Sequence, residues 1–522
     1  MNTDTNYDVV IAGAGPIGLL LACELRLGGA RVLVAERLAE VDETIKAGGI
    51  NTLTAVSLYR RGLLPALTEV QVETANGMKE FLRTQSGGEG AAPPPKSAGH
   101  FAGITLRADL LDASDPAFAE VGPPGEVGRF VPQAPLERLL GRRAGELGAE
   151  VRRQVELIGY DADGDGDGVI VHLAPTDGSA PQTIRAGWLV GCDGGRSVVR
   201  KFAGIQFPGT APEITGYQAI AGMTGTEGLS KGWNATGTGM YTYGPMPGRM
   251  VSIEFDGPPA DRRSPVTTEE LQASVRRVTG VDVTVHALHT ATRFTDNCRQ
   301  ADTYRSGRVL LAGDAAHVHS PFGGQGLNLG VGDAMNLGWK LALVVSGRAP
   351  VDLLDTYTAE RHPIGSWVLD WTRAQIAVMR PDAHARALRG IISDLAGTVD
   401  GTTYFVKRIS GAWQRYDLPG DHPLTGRSAP DLELADGTRL GDHLHTGRAL
   451  LLDLTDDPEL RARAAGYEGL VDVLTTSCPQ HPELAGLLVR PDGFTAWASD
   501  TDGTEDDPSE ALGLWFGAPL GA

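Results

Sequence analysis

Short apolar runs and helix-like segments alternate at the start of the chain. The first run, DVVIA at residues 8–12, is β-branched and typical of a strand that is buried on both faces. IGLLLACELRLGG then has the apolar spacing of a helix packed on a sheet, and ARVLVAE is a second buried strand that ends at Glu36. A strand, a turn, a helix and a strand in this order predict the opening of a doubly wound α/β domain.

The pattern changes in the middle of the chain. Three strand-like runs, VELIGY, VIVHLA and TIRAGWLVGC, lie between residues 155 and 192. Residues 205–290 alternate short strand-like stretches with loops, which predicts a mostly antiparallel sheet. RVLLAGD at residues 308–314 is another buried strand, and the spacing after it predicts helices at about 332–347 and 353–380.

Two segments rich in turn-forming residues interrupt these elements. Residues 84–100 contain much Gly, Pro and Ser, which predicts a mobile surface loop. Residues 418–431, LPGDHPLTGRSAPD, are typical of a linker. The apolar runs after this linker predict a small α/β domain at the C-terminal end.

Composition and charge exclude several classes of protein. The 522 residues are 41% hydrophobic, which is enough for more than one core. The formal net charge of −19 repels phosphate backbones and anionic lipids, so we expect no nucleic-acid partner and no membrane partner. The N-terminus is polar, and no run approaches the roughly 18 apolar residues of a membrane span. We therefore expect a cytoplasmic protein.

Metal and disulfide chemistry have little support in the sequence. The four cysteines lie far apart, which disfavours a disulfide framework and a zinc ribbon. His317 and His319 have no third ligand beside them, so we expect no metal site and assign these rings to stacking or backbone hydrogen bonds.

The first glycine cluster has the features of a dinucleotide site. In GAGPIG at residues 13–18, Gly13 permits the tight turn, Gly15 lets a pyrophosphate approach the backbone, and Gly18 allows close packing of the helix. The N-terminus of that helix offers free N–H groups to the anion. Glu36 lies 18 residues beyond Gly18, where an acid accepts hydrogen bonds from an adenosine ribose.

Two further motifs narrow the choice of dinucleotide. WLVGCDGGRSVVR at residues 188–200 carries Asp193 from a buried strand into a polar turn. RVLLAGDAAH at residues 308–317 brings Asp314 to the carboxyl end of another strand. The following PFGGQGLNLG at residues 321–330 has glycines that let a flat ring system lie against the backbone.

With these three motifs in order, the sequence resembles the p-hydroxybenzoate hydroxylase-like (group A) FAD-dependent monooxygenases. The similarity is greatest to their aromatic polyketide hydroxylase branch and covers residues 7 to about 380, with a weaker match in the tail. It implies an α/β fold with a Rossmann-like FAD-binding domain, an antiparallel-sheet substrate domain and a thioredoxin-like C-terminal domain.

The same resemblance implies domain boundaries. The FAD-binding domain would be discontinuous, over residues 1–75, 100–178 and 290–400. The substrate-binding sheet domain would span residues 76–99 and 179–289. The thioredoxin-like domain would span residues 418–522; it lacks a Cys-x-x-Cys motif, so we expect a structural role or an oligomer contact there, in a monomer or a homodimer.

The resemblance also implies a set of cofactor-binding residues. They are Gly13, Gly15, Pro16, Ile17, Gly18, Glu36, Arg37, Lys46, Gln133, Asp193, Asp314, Pro321, Gly324, Gly326, Leu327 and Asn328. Many relatives have an arginine where this chain has Lys46, which keeps the charge and loses the planar fork. A helix N-terminus near residues 324–328 would stabilise the negative charge of reduced flavin at N1 and O2.

Candidate substrate contacts are less well defined. Pro321 and Phe322 would lie beside the flavin because the third motif contains them. Tyr217, Trp233 and Tyr241 are candidates for an aromatic pocket, and the alternative for each is ordinary sheet core. The sequence identifies no catalytic residue and no general base.

The resemblance implies a single-component monooxygenase that uses FAD, NADPH and O2. It would hydroxylate a polycyclic aromatic, polyketide-type antibiotic intermediate through a flavin C4a-hydroperoxide. One alternative keeps the flavin and performs Baeyer–Villiger insertion or oxidative ring rearrangement on a quinone or ketone. A more distant alternative is a non-enzymatic flavoprotein that sequesters a hydrophobic antibiotic.

Overall fold

The structure is a computed structural model that describes residues 7–85, 97–123, 130–164, 166–244, 246–262, 264–503 and 507–519. Most of the predicted loop at 84–100, namely residues 86–96, lies outside the described residues.

The helices and strands follow one another along the whole chain. In chain order the helices are α1 (Pro16–Leu27), α2 (Thr52–Tyr59), α3 (Leu64–Gln85), α4 (Pro116–Ala119), α5 (Gln133–Glu146), α6 (Val198–Phe202), α7 (Thr268–Thr279), α8 (Gln325–Val345), α9 (Asp355–Met379), α10 (Ala383–Ala396), α11 (Val399–Ser410), α12 (Pro458–Arg463) and α13 (Ser509–Phe516). The strands are β1 (Tyr7–Ala12), β2 (Val32–Glu36), β3 (Ser97–Phe101), β4 (Ile104–Arg107), β5 (Glu150–Arg153), β6 (Val155–Ala162), β7 (Val169–Pro175), β8 (Gln182–Gly191), β9 (Gly209–Thr210), β10 (Thr215–Thr224), β11 (Gly232–Ala235), β12 (Gly239–Tyr243), β13 (Arg249–Glu254), β14 (Thr284–Phe294), β15 (Cys298–Gln300), β16 (Arg305–Ser306), β17 (Val309–Leu311), β18 (His317–Val318), β19 (Ala449–Asp453), β20 (Val471–Thr475), β21 (Leu484–Val489) and β22 (Thr495–Asp500).

The largest sheet of the described chain is the doubly wound one. Its strand order is β16-β17-β8-β1-β2-β5, and β7 and β6 extend it from β8 as an antiparallel ribbon. β1 pairs in parallel with β2 and β8, and β17 pairs in parallel with β8. The apolar runs predicted as buried strands are therefore the central strands, covered by helices such as α1 and α8. The carboxyl ends of β1, β8 and β17 meet at one edge, where ligands bind in open α/β sheets.

The position of β8 corrects one boundary of the domain division made from sequence. That division placed all of residues 179–289 in the substrate-binding sheet. In the structure Val9 and Ile11 of β1 pair with Trp188 and Val190 of β8, so this strand belongs to the nucleotide-binding sheet. The last four residues of β8, Trp188 to Gly191, are buried on both faces of the strand, which agrees with their apolar sequence. The division into three domains otherwise stays a prediction.

An antiparallel sheet forms the second layer. Its strand order is β11-β12-β13-β10-β14, and helix α7 packs on one face. This confirms the antiparallel sheet predicted for residues 205–290. A small sheet of β18, β15 and β9 lies beside the third motif.

The C-terminal part contains a four-stranded sheet in the order β20-β19-β21-β22. β19 and β20 are parallel, and the other two pairings are antiparallel, as in a thioredoxin-like sheet. A buried charge cluster fastens this part to the helices of the first domain. Arg490 Nη2 lies 2.7 Å from Glu360 Oε2, and Lys340 Nζ lies 2.9 Å from Glu360 Oε1.

Residues 418–431 are packed and do not behave as the predicted linker. Thr425 and Ala429 are buried, and Ser428 forms a β-bridge with Phe494. Arg60, at the end of α2, donates hydrogen bonds to the carbonyls of Ala429 and Gly493. These partners are distant in sequence, so the local turn composition gave no sign of them.

The two long helices predicted after the third motif are both present, but the first begins earlier than predicted. α8 begins at Gln325, where a helix was expected only from about residue 332. Gly326, Gly330 and Gly332 obscure the helical pattern, yet Gly330 and Gly332 face Ile17 and the Arg361 guanidinium, which leave no room for a side chain. In the part of the chain that the structure describes, no helix combines the length and apolar character that crossing a bilayer requires.

Candidate active site

A cavity of about 830 Å³ is lined by both large sheets. One wall consists of turns at the carboxyl edge of the nucleotide-binding sheet, and the opposite wall is one face of the antiparallel sheet. The predicted residues that line it are Gly15, Pro16, Ile17, Lys46, Gln133, Trp233, Asp314, Pro321, Phe322, Gly324, Gly326 and Leu327. Three separate sequence motifs thus converge on one space.

The turn before α1 is built to leave backbone N–H groups free. Gly13 has a φ of +103°, and a Cβ there would lie 2.4 Å from the carbonyl oxygen of Cys192. A Cβ on Gly18 would lie 2.0 Å from the Gly13 carbonyl oxygen. Gly15, by contrast, would place a Cβ in open space, and as the N-cap of α1 it supplies no side-chain cap. An anion can therefore reach the helix N-terminus directly.

Glu36 and Arg37 lie at the end of β2 and do not line the cavity. Glu36 Oε2 accepts a hydrogen bond from the N–H of Ala14 at 2.8 Å, and Oε1 accepts one from the N–H of Leu38 at 2.9 Å. The carboxylate is therefore fixed beside the glycine turn, in the place where the motif predicts an acid. Nothing in the structure assigns Arg37 to the cavity.

The N-terminus of α8 is a second free helix end at the cavity. Its N-cap, Gly324, has a left-handed φ of +62° and provides no side-chain cap. A Cβ on Gly324 would meet nothing within 4 Å, and Gly326 and Leu327 line the cavity just beyond it. The positive end of this helix dipole therefore faces the cavity, as expected for the site of reduced flavin.

Asn328 belongs to the inner side of this helix. Its Oδ1 accepts a hydrogen bond from the N–H of Asn51 at 2.8 Å, and its Nδ2 donates to the Gly324 carbonyl at 2.6 Å. It does not line the cavity, contrary to the expectation from the third motif. It instead shapes the turn whose glycines do.

Asp314 follows β17 and projects into the cavity, where its side chain is exposed. The surrounding protein raises the pKa of its carboxyl by desolvation, which His317 and Lys46 partly oppose. The turn that carries it is held by Asp333, whose Oδ2 accepts the N–H of Gly313 at 3.0 Å. Burial would raise the pKa of Asp333, but His317 and Arg361 outweigh it and hold that pKa below its ordinary value.

This supporting cluster was not predicted from the sequence. His317 Nε2 lies 2.6 Å from Asp333 Oδ2, and Arg361 Nε donates to Asp333 Oδ1 at 2.9 Å. All three side chains are fully buried. The spacing of Asp333 and Arg361 on two helices offered no signal without the fold.

Asp193 has a different position from the one implied by the resemblance. Its Oδ2 accepts hydrogen bonds from the N–H groups of Val198 and Val199, which caps the start of α6. Cys192 and Gly194, on either side, line the cavity while Asp193 does not. Its Oδ1 is buried and has no hydrogen-bond partner among the described residues.

The segment around Lys46 closes another side of the cavity. Lys46 Nζ lies 2.8 Å from Asp42 Oδ2, so its charge is already paired. Gln218 Nε2, on β10, donates to the carbonyls of Ile45 and Lys46. Gln133, at the start of α5, donates its backbone N–H to the Ala47 carbonyl at 3.0 Å. The antiparallel sheet and the nucleotide-binding domain are thus joined at this point.

Strand alternation decides which sheet residues reach the cavity, because successive side chains point to opposite faces. One cross-strand row, in register over all five strands, lines it throughout: Trp233, Thr242, Val251, Gln218 and Thr292.

Tyr217 and Tyr241 lie one position away and face α7. The Tyr217 hydroxyl donates to Glu270 at 2.9 Å, and the Tyr241 hydroxyl accepts from the N–H of Ser230. The structure therefore does not bring these two candidates to the cavity.

Aromatic rings cluster at one end of the sheet wall. The Phe322 ring centroid lies 6.1 Å from that of Trp233 and 5.7 Å from that of Phe294, both edge to face. The His100 ring lies 5.0 Å from Trp233, and desolvation, assisted by Arg389, lowers the pKa of His100 to about 4. A neutral imidazole and three apolar rings suit the binding of a flat aromatic ligand.

His319 is a second neutral imidazole at the cavity, close to Gly326. Its Nδ1 lies 2.7 Å from the carbonyl oxygen of Ser320, so Nδ1 carries the proton. Burial lowers its pKa to about 4. Nε2 is a buried acceptor with no hydrogen-bond partner among the described residues. Sequence analysis did not place His319, His100, Gln218 or Arg249 in the site; only strand register and loop packing show them there.

These features fit a flavin nucleotide. Two helix N-termini without side-chain caps face one cavity, and glycines at both leave space where a side chain would stand. An unpartnered imidazole nitrogen lies beside the second of them. The arrangement offers hydrogen bonds and positive potential to a pyrophosphate at α1 and to a polar ring edge at α8.

Comparison with known proteins agrees with this geometry. The FAD binding domain family matches residues 6–372, and the aromatic-ring hydroxylase C-terminal family matches residues 422–519. The 12-dehydrotetracycline 5-monooxygenase/anhydrotetracycline 6-monooxygenase of Streptomyces rimosus is 41% identical over 98% of this chain and 99% of its own length.

Solved structures show the same similarity over the full chain. The anhydrotetracycline hydroxylase OxyS from Streptomyces rimosus superposes with a TM-score of 0.83 at 39% identity, covering 99% of this chain and 100% of that one. CabE, an aromatic hydroxylase from angucycline biosynthesis, gives a TM-score of 0.83 at 36% identity over 99% of this chain and 100% of its own. The chain therefore belongs to the FAD-dependent aromatic-ring hydroxylases and is a flavoprotein monooxygenase.

Proposed function

We propose that this monooxygenase hydroxylates a polycyclic aromatic, polyketide-type intermediate of antibiotic biosynthesis, with NADPH as the electron donor. The observation that carries the proposal is the cavity of about 830 Å³, which has an aromatic cluster on one wall and free helix N-termini on the other. A cavity of this size accepts more than a flavin ring alone. The similarity over the whole chain to hydroxylases of tetracycline and angucycline type supports the same substrate class.

FAD would be held mainly by backbone. The turn at residues 13–18 and the N-terminus of α1 would bind its pyrophosphate, Glu36 the adenosine ribose, and Asp314 the ribityl chain. The turn at residues 321–327 would face the ring system. When FAD is bound, the flavin is the group that reacts with O2. The protein orients the flavin and excludes water from it.

Phe322, Trp233 and Phe294 would hold the substrate rings and keep the space between substrate and flavin dry. The imidazoles of His100 and His319 are neutral at physiological pH, since both have a pKa of about 4. Each can therefore form a hydrogen bond with a ligand without adding charge, His319 as an acceptor at Nε2. No side chain at the cavity is assigned as a general base.

The test is NADPH oxidation by the purified FAD-loaded enzyme over a panel of phenolic and quinoid polycycles, followed by NMR of the products. We expect NADPH consumption that a polycycle stimulates and a phenol with one added oxygen. A lactone or a rearranged ring would instead show Baeyer–Villiger chemistry. Binding of the polycycle with no stimulated NADPH consumption would overturn the proposal in favour of sequestration.

We also propose that the enzyme acts in the cytoplasm as a monomer or homodimer, with the domain division given above apart from β8. The four cysteines are free thiols, which suits a reducing compartment. Cell fractionation and light scattering of the purified protein test these two points.

A further inference from the structure

Arg249 is a charged side chain of the cavity that none of the motifs explains. It begins β13 and lines the cavity on the sheet wall. No carboxylate lies within ion-pair distance of its guanidinium among the described residues. The contact recorded for the guanidinium is from Nη1 to the sulfur of Met246, at 3.9 Å.

The other charged groups at the cavity do not compensate it. Lys46 is paired with Asp42. The charges that affect the pKa of Asp314 are those of His317, Lys46 and Asp333, and Arg249 is not among them. Desolvation lowers the pKa of Arg249, and no neighbouring charge opposes it. A partly buried guanidinium without an anion is costly, and a ligand that brings an anionic oxygen would relieve that cost.

The position of Arg249 gives the cavity two chemically different ends. Arg249 pairs across the sheet with Ile220, which in turn pairs with Thr290. Val251, two residues further along β13, belongs to the row that contains Trp233. Two residues of a strand span about 7 Å, which is roughly the length of a few fused aromatic rings. The guanidinium and the aromatic cluster can therefore contact opposite edges of one flat molecule.

We infer that Arg249 binds an ionised oxygen, a phenolate, enolate or carboxylate, on the polycyclic substrate and so selects acidic polycycles and fixes their orientation. The inference rests on the proposed function because it takes this cavity as the place of the substrate. It adds the charge of the substrate and the residue that recognises it. The planar guanidinium can donate two parallel hydrogen bonds to a carboxylate, or a charge-assisted hydrogen bond to a single phenolate or enolate oxygen.

The anion that Arg249 binds is not part of the flavin nucleotide. The free N–H groups for a pyrophosphate lie at α1 and those for the ring edge at α8, both on the nucleotide-binding wall. Arg249 lies on the opposite wall, in the antiparallel sheet. The phosphate groups of NADPH are the remaining competitor, and a separate titration with the non-reducing NADP⁺ tests them.

The experiment measures binding to the oxidised, FAD-loaded enzyme without NADPH. The probes are anthraquinone-2-carboxylate, its neutral carboxamide, and alizarin as a phenolate, each titrated at pH 8 by the change in flavin absorbance. Wild type is compared with Arg249→Met and Arg249→Lys. Arg276→Met is the matched control, because Arg276 pairs with exposed Asp282 outside the cavity.

We expect wild type and the control to bind the carboxylate and alizarin more tightly than the carboxamide. Arg249→Met should weaken binding of both anions about tenfold or more and leave the carboxamide unchanged, since a hydrogen-bonded charge is lost. Arg249→Lys should keep part of the preference.

Equal binding of carboxylate and carboxamide by wild type would overturn the inference, and so would a preference that survives in Arg249→Met. Weaker binding of NADP⁺ by the FAD-loaded Arg249→Met variant, with unchanged probe binding, would assign Arg249 to the nucleotide instead. The wild-type preference tests the inference even where a variant fails to fold. Because no turnover is measured, failure of hydroxylation would remove the proposed function and leave the anion preference standing.

Discussion

The two walls of the cavity are built in different ways. The nucleotide wall is mostly backbone: glycine turns and two helix N-termini without side-chain caps. The sheet wall consists of side chains, such as Trp233, Gln218 and Arg249, that alternate with residues on the buried face. A backbone wall needs particular glycines at fixed spacing, whereas a side-chain wall needs only a strand register, which many sequences satisfy. The first wall suits a constant cofactor and the second a substrate that differs between relatives.

The largest effect should come from the glycine that shapes the nucleotide wall. Gly13→Ala places a Cβ 2.4 Å from a backbone carbonyl oxygen at a φ of +103°. We expect it to lower the free energy of unfolding by roughly 3 kcal/mol or more, because neither backbone segment can move freely. Urea unfolding of the apoprotein measures this.

Gly15→Ala is the matched control for that substitution, because its Cβ enters open space in the cavity. It should leave the stability of the apoprotein unchanged and raise the Kd for FAD about tenfold, since a methyl group blocks the approach of the pyrophosphate. Equal losses of apoprotein stability in the two variants would contradict the view that Gly13 shapes the turn whereas Gly15 leaves room for the pyrophosphate.

The support of the nucleotide wall should show an effect of similar size. Asp333→Asn removes the charge that compensates Arg361 and leaves that guanidinium buried without an anion. We expect a loss of about 3–5 kcal/mol in the free energy of unfolding. Lys407→Met breaks a pair with Asp115 that is partly exposed, and it serves as a control with a loss below about 1 kcal/mol.

The same carboxylate predicts a dependence of stability on pH. The folded pKa of Asp333 lies below its ordinary value of 3.8, so the unfolded chain takes up the proton first as pH falls. Its contribution is therefore complete above pH 3.8 and is lost as pH falls below it toward the folded pKa. Urea unfolding at a series of pH values should show a shallower acid limb in Asp333→Asn than in wild type. Parallel acid limbs would show that Asp333 is not stabilised by its charged neighbours.

The sheet wall should respond in activity rather than in cofactor binding. Trp233→Ala removes a ring that contacts Phe322 and lines the cavity. We expect the KM for a polycyclic substrate to rise about tenfold while the Kd for FAD stays the same. Steady-state NADPH oxidation and FAD titration measure the two quantities. A rise in the Kd for FAD with an unchanged KM for the polycycle would show that Trp233 contacts FAD rather than the substrate.

The smallest effect belongs to the opposite face of the same sheet. Tyr217→Phe removes the hydrogen bond to Glu270 and should cost about 1 kcal/mol of unfolding free energy. Because the hydroxyl points toward α7, the KM for a polycycle should not change. A clear change in KM with unaltered stability would show that Tyr217 reaches the substrate after all.

Local sequence signals were sufficient for the glycine turns and for Asp314 of the nucleotide wall. Gly13, Gly15 and Asp314 stand at fixed distances from buried strands, and one α/β rule places all of them at the same sheet edge. The sheet wall could not be predicted in this way. Tyr217 and Gln218 are neighbours in sequence, and a register shift of one residue would exchange their faces.

Long-range contacts account for the other differences between prediction and structure. Asn328 lies inside its motif, yet its Oδ1 accepts a hydrogen bond from Asn51, which is distant in sequence. Asp333 and Arg361 meet only because α8 and α9 pack together. Residues 418–431 have the composition of a linker, but buried arginine hydrogen bonds from α2 fix them in place. A single sequence gives no sign of such partners.

We propose that flavin and polycycle share one cavity and that one oxygen atom of O2 reaches the substrate there. The most direct measurement is the mass of the product formed by the wild-type enzyme with NADPH under ¹⁸O₂. We expect a hydroxylated polycycle that carries one ¹⁸O atom. An unlabelled product, or NADPH consumption that yields only hydrogen peroxide across the whole panel, would contradict it.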